Sequence, residues 1–147
     1  GAPACVRYPG GHMSIRQLSV FVENRPGHLA DALGTLADGD VNVISFTIAD
    51  TTDYGILRLI VDRTDRAKGL LAAADYAVVE NPVVCVQVPD RPGALAGIAR
   101  VVAESSIDID YIYLGAHDSL LLKAEEHEKL ERLLKSAGFA VLGADDI

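Results

Sequence analysis

The chain has 147 residues, half of them hydrophobic and 23% charged, so it can bury a core and is not a disordered segment. Its formal charge of −8 and its lack of tryptophan argue against a nucleic-acid-binding protein, which needs a basic surface with stacking aromatics. No apolar run approaches the roughly 18 residues that a membrane helix requires. These properties predict a soluble protein, without nucleic-acid or membrane partners, that holds one ordinary domain or two very small ones.

Residues 1–13 have the character of an expression-tag remnant. They show no hydrophobic periodicity, and Gly11-His12-Met13 resembles the join between a cleaved tag and a starting methionine. The segment also lacks the basic and apolar regions of a signal peptide. It contains Cys5, which leaves Cys85 alone in the rest of the chain. One cysteine builds neither a disulfide framework nor a cysteine-metal cluster, which predicts a cytoplasmic protein without a bound metal.

The sequence repeats itself at an interval of 66 residues. Arg-Pro-Gly occurs at 25–27 and again at 91–93, and Leu-Ala occurs at 29–30 and again at 95–96. This interval is longer than that of solenoid repeats, so it predicts a duplicated small domain.

The similarity continues to the end of each repeat. Residues 75–78 align with 138–141 once three residues are omitted from the second copy. We expect one domain at 14–79 and another at 82–147, with Glu80-Asn81-Pro82 as the only break between them. Each copy is short of core by itself and should pack against a neighbour.

The hydrophobic periodicity alternates between strand and helix in each copy. Leu18, Val20 and Val22 alternate with polar residues as in a half-buried strand, and the following helix should begin at Pro26, which a first helical turn tolerates. The predicted strands lie at 17–23, 41–48, 54–61 and 76–80 in the first copy and at 83–88, 107–114, 119–124 and 139–142 in the second. The predicted helices lie between Pro26 and Gly39, around 67–74, at 92–104 and at 126–137.

Each copy therefore has the element order βαββαβ. With right-handed crossovers, this order gives a four-stranded antiparallel sheet with both helices on one face. The sequence thus predicts an α+β protein of two tandem ferredoxin-like units. Phe21 and Cys85 place apolar groups on the sheet face away from the helices, where a lone sheet would be polar. Another copy of the unit should cover that face, which predicts a homodimer.

The turn after the first strand is the candidate ligand site. It reads Glu23-Asn24-Arg25-Pro26-Gly27-His28-Leu29 in the first copy and Pro89-Asp90-Arg91-Pro92-Gly93-Ala94-Leu95 in the second. A helix N-terminus offers unpaired N–H groups and a partial positive charge, which bind carboxylates or phosphates. Glycine at the second helical position would leave those donors accessible. The alternative is that Pro-Gly only starts the helix.

This pattern resembles the ACT domain family, small ligand-binding modules that regulate amino-acid metabolism. The resemblance covers residues 15–146 and rests on Asn/Asp-Arg-Pro-Gly-x-Leu, a helix, and then Val-Asn-Val or Ile-Asp-Ile. The first copy is most similar to the serine-sensing regulatory domain of D-3-phosphoglycerate dehydrogenase. That similarity implies that Asn24 and Asn42 hold an amino acid at an interface between two ACT units. Asp90 and Asp108 occupy the same positions in the second copy.

The resemblance implies a non-catalytic regulatory protein that binds an amino acid and uses no cofactor. His117 and His127 have no second ligand at metal spacing, and no Ser/His/Asp set or P-loop occurs in the sequence. The candidate ligand-binding residues are Asn24, Arg25, Gly27, His28, Leu29 and Asn42 in the first copy and Asp90, Arg91, Gly93, Ala94, Leu95 and Asp108 in the second.

Two alternatives remain open. The chain is similar over residues 22–29 to the small subunit of acetohydroxyacid synthase, which implies a regulatory subunit with a separate catalytic enzyme as its partner. Acylphosphatases share the predicted topology and use a loop arginine with a strand asparagine, which Arg25 and Asn42 mimic. Their loop is an extended phosphate cradle, whereas here Pro26 follows Arg25 directly, which favours a binding protein.

Overall fold

The computed structural model describes residues 5–7, 13–50 and 54–143. They form two compact units, one from 16–50 with 54–81 (unit 1) and one from 82–143 with 5–7 and 13–15 (unit 2). The strands are β1 (Cys5–Arg7), β2 (Met13–Glu23), β3 (Val43–Asp50), β4 (Tyr54–Val61), β5 (Val78–Gln87), β6 (Tyr111–Gly115), β7 (Ser119–Lys123) and β8 (Val141–Leu142). The helices are α1 (His28–Asp38), α2 (Thr64–Ala73), α3 (Ala94–Ser105) and α4 (His127–Ser136).

In unit 1 the strand β2 has a neighbour on each side. It pairs antiparallel with β4 from Leu18 to Glu23, and β4 pairs antiparallel with β3. On the other side of β2, the N–H of Phe21 donates to the carbonyl of Ala77, 3.1 Å away and one residue before β5. The strand order is therefore β5–β2–β4–β3, with only the beginning of β5 in unit 1.

Unit 2 has the equivalent strand order, built from the later part of β5 together with β6, β7 and β8. The later part of β5 pairs antiparallel with β7 and β8, and β7 pairs antiparallel with β6, which gives the order β8–β5–β7–β6. The short strand β1 pairs with residues 13–15 of β2. Both orders are those of a ferredoxin-like fold, so the predicted α+β class with two tandem ferredoxin-like units is confirmed.

The helices of each unit pack against one face of its sheet, as predicted. Alternate residues of β2 and β4 pack against residues one turn apart in α1 and α2, because side chains repeat every two residues in a strand and every 3.6 in a helix. The buried core of unit 1 comprises Leu18, Val20, Val22, Ala32, Leu36, Val41, Leu57, Leu59, Val61, Ala67 and Leu71. That of unit 2 comprises Val84, Val86, Val88, Ile98, Ile107, Leu120, Leu122, Ala124, Leu130 and Leu134.

The junction between the repeats differs from the prediction. Two strands were expected, at 76–80 and 83–88, but β5 is one strand from Val78 to Gln87 that runs through Pro82. Proline holds its φ angle near −65°, which an extended strand accommodates, and it only removes one hydrogen-bond donor from the ladder. Glu80-Asn81-Pro82 therefore marks the change from one unit to the other without interrupting the strand.

Most of the expected tag remnant, residues 1–4 and 8–12, lies outside the described residues, so its origin stays a prediction. Within that segment, residues 5–7 form β1. Among the described residues, none of the helices is both long and apolar enough to cross a bilayer.

Candidate functional site

The two Arg-Pro-Gly turns have the same backbone geometry. Gly27 has a φ of +83° and Gly93 a φ of +90°, and the helices begin one residue later, at His28 and Ala94. The prediction that glycine occupies the second helical position is wrong, because a positive φ cannot belong to a right-handed helix. Glycine is instead required by the left-handed backbone just before the helix. A Cβ at either position would meet nothing within 4 Å, so the space beside each turn is open.

Backbone hydrogen bonds leave two amides of each helix start available. In the second turn, the N–H of Ala94 donates to the carbonyl of Arg91 at 3.3 Å, and that of Gly97 donates to Gly93 at 2.9 Å. The N–H groups of Leu95 and Ala96, between them, have no acceptor among the described residues. Neither helix start has a side-chain cap. Such amides can bind an anion, and the helix dipole favours negative charge there.

A cavity of about 330 Å³ opens beside the α3 helix start; we call it the unit 2 cavity. The turn between β5 and α3 forms one wall, and the turn between β6 and β7 forms the other. It is lined by Val88, Pro89, Asp90, Arg91, Gly93, Ala94, Leu95, Leu114, Gly115, Asp118 and Ser119. The structure thus brings together five of the six residues predicted from the second repeat, all except Asp108.

The cavity wall carries both signs of charge. Arg91 is exposed on the same side as the α3 helix start, whereas Asp90 and Asp118 supply carboxylates. Two hydrogen bonds fix the opposite wall: the Val88 N–H donates to the carbonyl of Asp118 at 2.7 Å, and the Ser119 hydroxyl donates to the carbonyl of Ala116 at 2.6 Å. This arrangement can bind a carboxylate and an ammonium group at the same time.

Sequence reasoning missed the wall formed by Leu114, Gly115, Asp118 and Ser119. These residues reach the cavity because β5 pairs with β7, with Gln87 opposite Ser119. The topology predicted from the element order already implied that β7 lies beside β5. The acidic turn before β7 was therefore the signal that could have identified Asp118.

Asn24 and Asn42 lie at opposite ends of unit 1. Asn24 follows Glu23, which pairs with Tyr54 at the start of β4. The backbone N–H of Asn42 donates to the carboxylate of Asp62, 2.9 Å away and just beyond the end of β4. The eight residues of β4 separate these ends by about 25 Å at roughly 3.3 Å per residue. One unit therefore cannot place both amides on the same small ligand.

The second repeat shows the same separation. Asp90 lies beside Ser119 at the start of β7, whereas Asp108 precedes β6 near Lys123 at the end of β7. The prediction that Asp108 lies on the second strand of its repeat is wrong, because β6 begins at Tyr111. The acylphosphatase alternative requires Arg25 and Asn42 to lie side by side. They lie at opposite ends of unit 1, so they cannot act on one phosphate.

Unit 1 has its own open cleft of about 530 Å³ on the α2 side of its turn; we call it the unit 1 cleft. Of the predicted residues, Arg25 and His28 line it, whereas Asn24, Gly27 and Leu29 do not. The Nδ1 atom of His28 accepts a hydrogen bond from the N–H of Glu23, and its ring stacks on Tyr76 with centroids 5.3 Å apart. Arg25 is 2.8 Å from the carboxylate of Glu23.

The environment of Tyr76 shows how charge is distributed in this cleft. Burial and then the negative charge of Asp31 raise the pKa of the Tyr76 hydroxyl, while Arg25 opposes this effect. The described residues include no group of three or more His, Cys, Asp or Glu side chains placed to hold a metal ion.

Two ferredoxin-like units, each with an uncapped helix start that follows a glycine, define a tandem of small α+β modules. A family model for the ACT domain pair matches residues 13–142, and the chain belongs to that family. The predicted family resemblance is thus confirmed. ACT domain pairs are typical of regulatory, amino-acid-binding proteins. The closer likeness of the first copy to D-3-phosphoglycerate dehydrogenase remains a prediction.

Solved structures support this assignment. Protein BT0572 from Bacteroides thetaiotaomicron is 32% identical, with a TM-score of 0.83 over 89% of this chain and 93% of that one. The regulatory subunit of aspartate kinase from Thermus thermophilus is 18% identical, with a TM-score of 0.61 over 84% of this chain and 92% of that one. The aspartokinase alpha and beta subunits are 22% identical, with a TM-score of 0.56 over 83% and 90%. The last two share the fold. No curated protein matches the chain significantly.

Proposed function

We propose that this chain is a non-catalytic regulatory protein that senses an amino acid in the unit 2 cavity. The observation that carries the proposal is the position of the α3 helix start, Arg91 and two carboxylates around one space of about 330 Å³. A cavity of that volume is within the range that holds small molecules. The family membership supports the same ligand class.

The wall chemistry fits a zwitterion. The amides of Leu95 and Ala96 and the guanidinium of Arg91 would bind the α-carboxylate, since arginine presents two parallel donors to a carboxylate. Asp90 and Asp118 would bind the α-ammonium group by charge-assisted hydrogen bonds, each worth roughly 1.5–3 kcal/mol. Leu95 and Leu114 would contact the amino-acid side chain, so they should influence which amino acid binds.

A thermal-shift screen of the proteinogenic amino acids tests this proposal. An amino acid at a hundred times its dissociation constant should stabilise the protein by about 2.7 kcal/mol, which corresponds to several degrees for a chain of this length. Arg91→Ala should reduce the shift by roughly half or more, as expected for binding weakened at least tenfold, whereas Arg100→Ala, which removes an exposed arginine further along α3, should preserve it. An identical shift in both variants would place the ligand elsewhere.

We further propose that the chain forms a homodimer through the outer face of α3 and the strand β6. Three large apolar residues are exposed there: Leu95 is 47% exposed, Ile112 is 50% and Leu114 is 62%. Leu95 and Ile112 line an apolar groove of about 300 Å³ between α3 and β6.

A separate catalytic enzyme is the second candidate for this surface, since an exposed apolar groove suits either partner. The two candidates make different predictions. A homodimer forms with the purified chain alone, whereas a regulatory subunit stays monomeric until its catalytic partner is added. Light scattering of the isolated protein distinguishes them.

A further inference from the structure

Both repeats have a cavity at the place that the unit 1 cleft occupies in unit 1. Its counterpart in unit 2 is a cavity of about 290 Å³ beside the same turn. Phe21, Arg25 and Ala77 of the cleft correspond to Gln87, Arg91 and Ala140 of that cavity, and the correspondence follows the alignment of the two copies. Because the backbone forms both cavities in the same way, comparing them shows the effect of the side chains.

Unit 1 carries polar or ionisable groups where unit 2 carries small or apolar residues. Phe139 packs into the unit 2 core, and its ring lies 3.7 Å from the position of a Cβ on Gly97. The equivalent residues of unit 1 are Tyr76 and Asp31, and the charge of Asp31 acts on the Tyr76 hydroxyl. The remaining replacements, with the unit 1 residue first, are Glu23 for Pro89, His28 for Ala94 and Asp75 for Gly138.

The charges of the unit 1 cleft do not cancel. Arg25 is neutralised by Glu23 at 2.8 Å. Among the described residues, Asp31 and Asp75 have no cationic side chain within ion-pair distance, although both line the cleft. The cleft therefore has an excess of two negative charges, which would attract a cation.

Aromatic rings form the rest of the cleft wall. His28 and Tyr76 stack with their planes 25° apart, and the hydrogen bond from Glu23 to Nδ1 fixes the orientation of the imidazole. Phe21 and Tyr54 also line the cleft and are 43% and 59% exposed, respectively. Ring faces together with carboxylates are the chemistry that binds ammonium and guanidinium groups.

We propose that the unit 1 cleft is a second binding site, separate from the amino-acid site in unit 2, for an organic cation carrying a primary ammonium or guanidinium group. Asp31 and Asp75 bind the cationic group, and the aromatic walls contact its alkyl chain. The volume of about 530 Å³ accommodates a flexible molecule of this kind. The chain would thus report on two ligands of different charge, one in each unit.

An NMR titration of the full isotope-labelled chain with agmatine tests the proposal. Agmatine carries a guanidinium and an ammonium group on a butyl chain, and butyrate is the anionic control of similar length. Agmatine should shift the amide signals of residues 28–31 and 74–77, whereas butyrate should leave them unchanged. Shifts of equal size with butyrate, or no shift with millimolar agmatine, would overturn the proposal.

Variants assign the effect to the two carboxylates. Asp31→Asn combined with Asp75→Gly should weaken agmatine binding at least tenfold. Both changes are compatible with the fold, since the first is isosteric and the second copies Gly138 at a backbone position of positive φ. Glu104→Gln removes an exposed charge from α3 in unit 2 and should leave binding unchanged. An equal affinity in the double variant and the wild type would refute the site, while amino-acid shifts at Leu95 and Ala96 test the unit 2 cavity independently.

Discussion

Replacing Glu80 with glutamine should lower the free energy of unfolding by about 2 kcal/mol. Glu80 receives two hydrogen bonds from the guanidinium of Arg16, at 3.0 Å from Nε and 2.8 Å from Nη2. The side chain of Arg16 is 7% exposed and that of Glu80 is 21% exposed, so water screens the pair poorly. The hydrogen bond to Glu80 raises the pKa of Arg16 above its ordinary value, so the guanidinium stays charged.

The magnitude follows from what glutamine retains. Losing one partner of a buried ion pair costs about 3–5 kcal/mol, because the remaining charge is left without compensation. Glutamine still accepts one of the two hydrogen bonds, and Asp65 still contacts Arg16 from α2. Because the guanidinium stays charged, its bond to glutamine is still charge-assisted, so the change removes one charge-assisted bond, worth roughly 1.5–3 kcal/mol, which gives about 2 kcal/mol.

Urea denaturation followed by circular dichroism measures this difference. Lys68→Gln is the matched control: its ammonium is 3.1 Å from the Glu80 carboxylate, but the side chain is 43% exposed, so the expected loss is below about 0.5 kcal/mol. Equal stability of Glu80→Gln and the wild type at neutral pH would refute the reasoning.

The same ion pair predicts a pH dependence. The hydrogen bond to Arg16 lowers the pKa of Glu80 below its ordinary value of 4.5, against the opposing effect of burial. A lowered folded-state pKa contributes stability that is complete above the unfolded-state pKa and is lost as the pH falls through the folded-state pKa. The difference between Glu80→Gln and the wild type should therefore be constant near neutrality and shrink below about pH 4.5. A difference that grows on acidification would contradict this sign.

Two glycines in different backbone conformations should respond oppositely to alanine. Gly93→Ala should lower the free energy of unfolding by roughly 1–2 kcal/mol, since its φ of +90° strains any L-residue. Gly34→Ala should raise it by up to about 1 kcal/mol, because Gly34 lies in the interior of α1 and a new Cβ there meets nothing within 4 Å. Urea denaturation checks both, and a stabilising Gly93→Ala would exclude the left-handed turn. Leu114→Asp should convert the proposed dimer to a monomer in light scattering, whereas the exposed Ala137→Asp should not; a dimer that survives Leu114→Asp uses another surface.

The fold was predictable because its determinants are local and repeated. Alternation at Leu18, Val20 and Val22 identifies a strand, and the apolar face containing Ala32 and Leu36 identifies a helix without knowledge of the rest of the chain. The duplication then supplies the same element order twice. Errors occurred at element ends, as at Pro26, where the positive φ of the following glycine delays the helix.

The site was less predictable because part of it depends on strand register. Asn24 and Asn42 flank the 11 residues of α1, whose length of roughly 16 Å by itself places them at opposite ends of unit 1, independently of strand register. Asp118 is distant from Asp90 in sequence and reaches the unit 2 cavity through the pairing of β5 with β7. The sequence did contain a signal for the unit 1 cleft: in the alignment of the two copies, Tyr76 corresponds to Phe139, so unit 1 has a polar aromatic residue where unit 2 has an apolar one.

An NMR titration of the labelled chain with each amino acid tests the amino-acid site in unit 2 most directly. The amides of Leu95 and Ala96, which have no acceptor among the described residues, should shift with at least one amino acid and saturate with a single dissociation constant. Arg91→Ala should weaken that binding at least tenfold, a loss of about 1.4 kcal/mol. If these two signals stay unchanged at millimolar concentrations of every amino acid, the α3 helix start is not an amino-acid site.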